Sequence, residues 1–118
     1  MRVCRLACPK DGGVWWDPKD GIFKMWYEAA WIGKMAYATS IDGINWERPD
    51  LDIQPGSNQI ITGLHPDSTT VFLDHGARDP GERFKMFLRG PNWAGDDHGF
   101  SFVSADGIHW CEPIPTGY

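Results

Sequence analysis

The sequence has no apolar run of about 18 residues, so no segment reads as a membrane-spanning helix. Its basic residues do not cluster. Eleven Lys and Arg are scattered among sixteen Asp and Glu, for a net charge of −5. That excludes the basic surface a nucleic acid or an anionic membrane requires, and neither is expected as a partner. Cysteine is scarce and odd in number: Cys4, Cys8 and Cys111. Cys4 and Cys8 would make half a zinc site, but no second Cys or His pair stands at ligand spacing. The three thiols are read as small buried or free side chains, and no metal or cofactor is expected. Met1 to Lys10 lacks the long apolar core of a signal peptide. No stretch carries the pattern of a long amphipathic helix, which leaves an all-β chain.

What is present is a repeat. Phe23-Lys24-Met25 recurs as Phe84-Lys85-Met86, an offset of 61. Asp42-Gly43-Ile44, Trp46 and Pro49 recur as Asp106-Gly107-Ile108, Trp110 and Pro113, an offset of 64. The difference of three is an insertion in one loop. Each copy divides at turn signals into four short runs rich in aromatic and branched residues. These are Val14–Trp16, Ile22–Glu28, Met35–Ser40 and Ile44–Glu47, then Thr70–Leu73, Arg83–Arg89, Phe100–Ser104 and Ile108–Cys111. The breaks are Asp-Gly, Asp-Pro and Pro-Gly pairs or single glycines. The second run carries bulk on both faces (Phe23, Met25, Tyr27 against Lys24, Trp26, Glu28), as a strand covered on both sides would.

Four antiparallel strands per repeat with two apolar faces describe a β-propeller blade. The expectation is two consecutive four-stranded blades packed face to face, with residues 1–58 forming the first blade and its lead-in and residues 59–118 the second. Trp46 and Trp110 are expected at equivalent buried positions. Two blades do not close a ring, and five would need roughly 300 residues. The remaining blades are expected from the same protein or by self-association, the former being the preferred reading. Aromatics make up 14% of residues, seven of them Trp; most should be wedge packing between blades. Trp31 and Trp93, in loops, are candidates for stacking on a sugar ring.

The string Ala38-Thr39-Ser40-Ile41-Asp42-Gly43-Ile44-Asn45-Trp46-Glu47-Arg48-Pro49, following a strand that begins Phe-Lys-Met, resembles the five-bladed propellers related to glycoside hydrolase families 32, 43 and 130. It looks most like their family-32-like bacterial relatives. Both copies match, so the resemblance spans nearly the whole chain; it speaks for the fold more than for the activity. The Ser-x-Asp-Gly-x-x-Trp element is also similar to the sialidase Asp-box, but lacks the residue between Asp and Gly. It reads as a hairpin in which Asp42 and Asp106 accept backbone N–H bonds while Trp46 and Trp110 pack beneath.

Propeller geometry brings the starts of first strands and the ends of second strands together around the axis. Asp67 and Asp11 precede first strands; Glu28 and Arg89 end second strands, and the loops Ala29–Gly33 and Gly90–His98 join them. The resemblance implies carbohydrate as ligand, with Asp67 and Glu28 as the pair of carboxyl groups that glycoside cleavage needs. Arg89, Asp11, Trp31 and Trp93 would bind substrate. For Asp67 the structural alternative is a backbone cap, and for Glu28 and Arg89 an ion pair between blades. A non-catalytic carbohydrate-binding propeller would use the same residues. Asp96-Asp97-His98 reads as solvated loop charge, and a phosphorylase pocket has only Arg89 to offer. Arg78-Asp79-Pro80 spells a family-32 motif but falls between first and second strands, so it is read as turn chemistry on the far side. Trp16-Asp17-Pro18 likewise lies at the wrong strand end for that family's nucleophile.

Overall fold

The structure, a computed structural model, describes residues 7–8, 13–29, 34–64, 66–91 and 97–117. Among these there is no α-helix, and the strands form two antiparallel sheets. In the first, β3 (Ile22–Ala29) is central and β4 (Lys34–Ser40) lies along one edge. The other edge is shared by β1 (Ala7–Cys8) and β2 (Val14–Asp17), which pair with opposite ends of β3. The second sheet runs β5 (Ser68–Leu73), β6 (Phe84–Pro91), β7 (Asp97–Ser104) and β8 (Ile114–Pro115) in sequence order. A single 3₁₀ turn, Pro80–Glu82, interrupts the connection from β5 to β6.

The two sheets repeat residue for residue. Val14 faces Met25 as Val71 faces Met86, and Trp16 faces Phe23 as Leu73 faces Phe84. The first strands therefore repeat as well, at an offset of 57, which aligns Asp17 with Asp74. Both aspartates bind the lysine of the Phe-Lys-Met motif: Lys24 Nζ lies 2.8 Å from Asp17, and Lys85 is paired with Asp74.

The expectation for the fourth strands needs correction. Ile44 and Ile108 sit in turns, because the preceding aspartate captures the amides a ladder would use. Asp42 Oδ1 accepts from the backbone N–H of Ile44 (2.9 Å) and Asn45 (2.8 Å), and Asp106 Oδ1 accepts from Ile108 and His109 (both 2.8 Å). Gly43 and Gly107 supply the left-handed residue, at φ +75° and +79°. Pairing starts only beyond the tryptophan, with Glu47 opposite Thr39 and Cys111 donating to Val103 O. In the second sheet the chain continues directly into β8. In the first it leaves as a small hairpin closed by Leu51 and Ser57, then returns so that Gln59 pairs with Ala36 and Ile60 donates to Met35 O.

One face of each sheet meets the other. Trp26, Met35 and Tyr37 pack on Val71, Leu73, Phe84, Met86, Leu88 and Phe102, with Ile60 and Ile61 closing the edge. Burying each such side chain stabilises by roughly 1.5–3 kcal/mol, so this seam dominates the fold's stability. Directional contacts fix its register. Trp15 Nε1 donates to Val71 O at 2.7 Å, Trp26 Nε1 to Gly107 O at 2.6 Å, and Arg83 reaches Asp17 at 2.7 Å. A smaller cluster of Tyr27, Ala36 and Ala38 lies on the opposite face of the first sheet, with Met25 and Trp46 packed against it. Trp46 and Trp110 are half-buried, not buried as expected. Trp46 packs on the outward cluster of the first sheet, while Trp110 packs against the seam.

Candidate functional site

Strand ends decide which candidate residues meet. The ladder of β5 and β6 extends one step past Ser68 opposite Arg89, since Asp67 N donates to Arg89 O at 2.9 Å. Glu28 stands at the corresponding end of β3, opposite Met35. Asp67, Glu28 and Arg89 thus lie at one end of the two sheets. Strand alternation then separates them by face. Trp26 and Glu28 point into the seam, and Asp67 is in phase with Thr69 and Val71, which line the seam from the other side. Arg89 is in phase with Lys85 and Phe87, behind the second sheet.

Glu28 is only 3% exposed. It shares a seam cavity of about 10 Å³ with Gly13, Trp26, Tyr27, Met35, Thr69 and Val71. That is room for about one water and no sugar ring. A ligand at this end would meet half-buried Asp67 before Glu28. Asp11, Trp31 and Trp93 lie outside the described residues, as does most of the loop that carries Trp93. His98, half-buried in β7, sits edge-on to Phe100 at 6.2 Å between ring centres.

Asp79 lies past the far end of β5, caps the 3₁₀ turn and accepts from Gly81 N at 2.8 Å. Its exposed position and local hydrogen bond are those of turn chemistry. Asp17 also stands at that far end, but it is fully buried and holds three partners: Lys24 Nζ, Arg83 Nη2 and Lys19 N. Burial alone would push its carboxyl up. The bonds from Arg83, Lys24 and Lys19 outweigh that and lower it to about 2. Sequence reading took Asp17 as part of a turn dipeptide. The signal for its role was the shared Val-x-x-Asp of Val14–Asp17 and Val71–Asp74, each preceding Phe-Lys-Met.

A second arrangement missed in the sequence joins the turns to the inserted hairpin. His109 Nδ1 lies 2.7 Å from Asp106 Oδ2, and its Nε2 lies 2.8 Å from Asp52 Oδ1. The two carboxylates raise the His109 imidazole above its ordinary value, Asp106 more than Asp52. For Asp106, burial acts upward, but the bonds from His109, Ile108 and Ser104 together hold it at about 2. Beside this triad an open groove of about 420 Å³ runs between Ile60–Leu64 and His109–Pro113. Trp110 borders it, and the indole Nε1 is buried with no hydrogen-bond partner among the described residues. Among those residues no group of three His, Cys, Asp or Glu side chains stands close enough to hold a metal ion.

No family model, no curated protein and no solved structure matches this chain.

Proposed function

We propose that the chain forms two blades of a β-propeller of the glycoside hydrolase type, acting on carbohydrate through carboxylates at the axial end of the sheets. The observation that supports this most is the placement of Asp67 and Glu28 at the same end of the two sheets, in phase with side chains that face each other across the seam. In this reading half-buried Asp67 is the more accessible carboxylate and contacts the sugar first. Glu28 is the second carboxyl, opened to substrate when further blades complete the axial channel, and Arg89 lines the next seam. Glycoside hydrolysis by such a pair requires about 5–9 Å between the carboxyl groups, the shorter spacing for a retaining reaction.

The test is hydrolysis of a panel of aryl glycosides by the assembled protein and its Asp67→Asn variant. The swap keeps shape and removes charge, so turnover is expected to be lost while the unfolding midpoint is kept. Unaltered turnover in the variant would reduce Asp67 to a backbone cap at the start of β5.

The burial of Glu28 and the open groove beside Trp110 favour a second reading, a carbohydrate-binding propeller without catalysis. Aromatic faces suit the apolar faces of sugar rings. Binding of oligosaccharides by calorimetry, with no release of reducing ends on prolonged incubation, would select that reading over the first.

A further inference from the structure

The repeat leaves both halves of its own interface open at the ends of the molecule. In the seam, Val71, Leu73, Phe84 and Met86 of the second sheet are at most 2% exposed. Their counterparts by register are Val14, Trp16, Phe23 and Met25 on the outward face of the first sheet. Of these, Val14 and Trp16 are 46% and 45% exposed, and Phe23 and Met25 are half-buried. The receiving side behaves in the same way. Trp15 and Trp26 of the first sheet are covered by the second, whereas their counterparts Phe72 and Phe87 are 47% and 43% exposed.

The turns complete the correspondence. Gly107 lies so close to Trp26 that a Cβ there would overlap the indole, and the Trp26 N–H donates to its carbonyl. The matching turn, Ile41 to Asn45, projects into solvent with Ile41 and Ile44 at 82% and 80% exposure. Ile114 lies across Ser101 from Phe87, on the same open face. Among the described residues, every exposed large hydrophobic side chain except Ile41, whose counterpart Ala105 is itself exposed, therefore belongs to one of these two surfaces. Two such surfaces that match one already-formed interface describe a head-to-tail contact, which closes into a ring or propagates as a filament.

We propose that a second copy of this chain docks head to tail. Its Val14/Trp16 face and Asp42-Gly43-Ile44 turn cover Phe72, Phe87 and Ile114 of the first, repeating between molecules the seam found within one. The sequence adapts the copy for this. Phe72 and Phe87 replace tryptophans whose N–H donors find carbonyls inside the molecule, and Ile22 replaces Arg83, so the contact between copies is almost wholly apolar. Asp74 keeps its charge partner, Lys85, without help from a neighbour. The inference rests on the register of the repeat and not on the carbohydrate reading, and its test reads mass and not turnover.

Sedimentation velocity over a dilution series is the experiment, on the unmodified chain and two double variants. Val14→Asp/Ile44→Asp blocks one surface and Phe72→Asp/Phe87→Asp the other. The unmodified chain is expected to exceed its 13.3 kDa monomer mass and to dissociate on dilution. Each variant alone should sediment as a monomer. An equimolar mixture should recover a species of twice the monomer mass and nothing larger, because each variant keeps the surface the other lacks. Recovery requires both variants to be folded, so misfolding cannot imitate it. Hydrogen exchange on the unmodified chain gives a reading without substitutions: protection should rise with concentration at 41–45 and around Phe87 together. A monomer at every concentration, self-association of either variant, or protection of one surface alone would overturn the proposal.

Discussion

The turns Ser40–Asn45 and Ser104–His109 have nearly the same sequence and the same internal bonds, yet opposite surroundings. In both, the serine hydroxyl lies on the aspartate, the aspartate accepts two backbone amides, and the glycine takes a positive φ. In the first, every residue after the buried Ser40 is exposed; the second is wedged against Trp26, and its Gly107 is buried. Local sequence therefore makes the turn, and position in the stack decides whether it is also a packing element. A repeat protein uses each unit twice in this sense, once for its own sheet and once as a lid on its neighbour.

Substitution of the two glycines breaks the comparison most sharply. Gly43→Ala meets only ordinary contacts with Phe23 and should cost about 1 kcal/mol for its left-handed backbone. Gly107→Ala adds overlap with Trp26 and should cost more than about 3 kcal/mol. Urea denaturation of the pair measures the difference, and equal losses would mean that the second turn does not hold the seam.

The paired aspartates give the next effect. Asp17→Asn leaves half-buried Arg83 short of a partner and buried Lys24 with Asp20 alone, and should cost about 3 kcal/mol, since Asp17 is fully buried. Asp74→Asn removes a partly exposed pair that solvent screens, and should cost much less. Thermal melts at neutral pH compare them.

Acid should separate the same two residues. The Asp17 carboxyl is lowered to about 2 in the fold against about 3.9 in an unfolded chain. Its contribution is present above about pH 4 and is lost as pH falls towards 2. The unfolding midpoint should drop through that window, and drop less steeply in Asp17→Asn.

The smallest effect lies at the alkaline side of His109. Its imidazole is raised in the fold, so the stability it contributes is complete below about pH 6.5 and disappears as pH rises through the folded value. In the first turn Asn45 takes this place and binds Asp42 Oδ2 at 2.8 Å without titrating. His109→Asn should therefore flatten the stability profile above about pH 6.5 while changing the acid limb little. A profile that keeps its slope would place the titration elsewhere.

Much of this fold was legible in the sequence. The offsets of 61 and 64, the alternation in Ile22–Glu28 and the Asp-Gly pairs located the central strands to within two or three residues. The bonding roles of Asp42 and Asp106 also followed from their spacing to the next amides. The fourth strands were misplaced because β-branched Ile44 and Ile108 look like strand residues, whereas the carboxylate two positions earlier takes their amides. The hairpin between Leu51 and Ser57 carries no apolar alternation and was invisible for that reason. For the site, Asp67 and Glu28 were placed at one end by strand order. That Glu28 would be sealed inside the seam depended on the width of side chains arriving from the other sheet, which no local pattern encodes. Asp17 was missed because its main partner across the seam, Arg83, lies 66 residues away in sequence.

The inserted hairpin has a topological consequence. Its tip, Gln54-Pro55-Gly56, is exposed, and the segments on either side of it, at Glu47 and at Asn58–Ile60, both pair with β4 at the edge of the first sheet. A chain cut there would become two pieces, each holding most of one sheet. The indole bonds from Trp15 and Trp26, the Asp17–Arg83 bridge and the whole apolar seam would remain to rejoin them. Covalent continuity at the hairpin tip thus carries none of the bonds that join the two sheets across the seam.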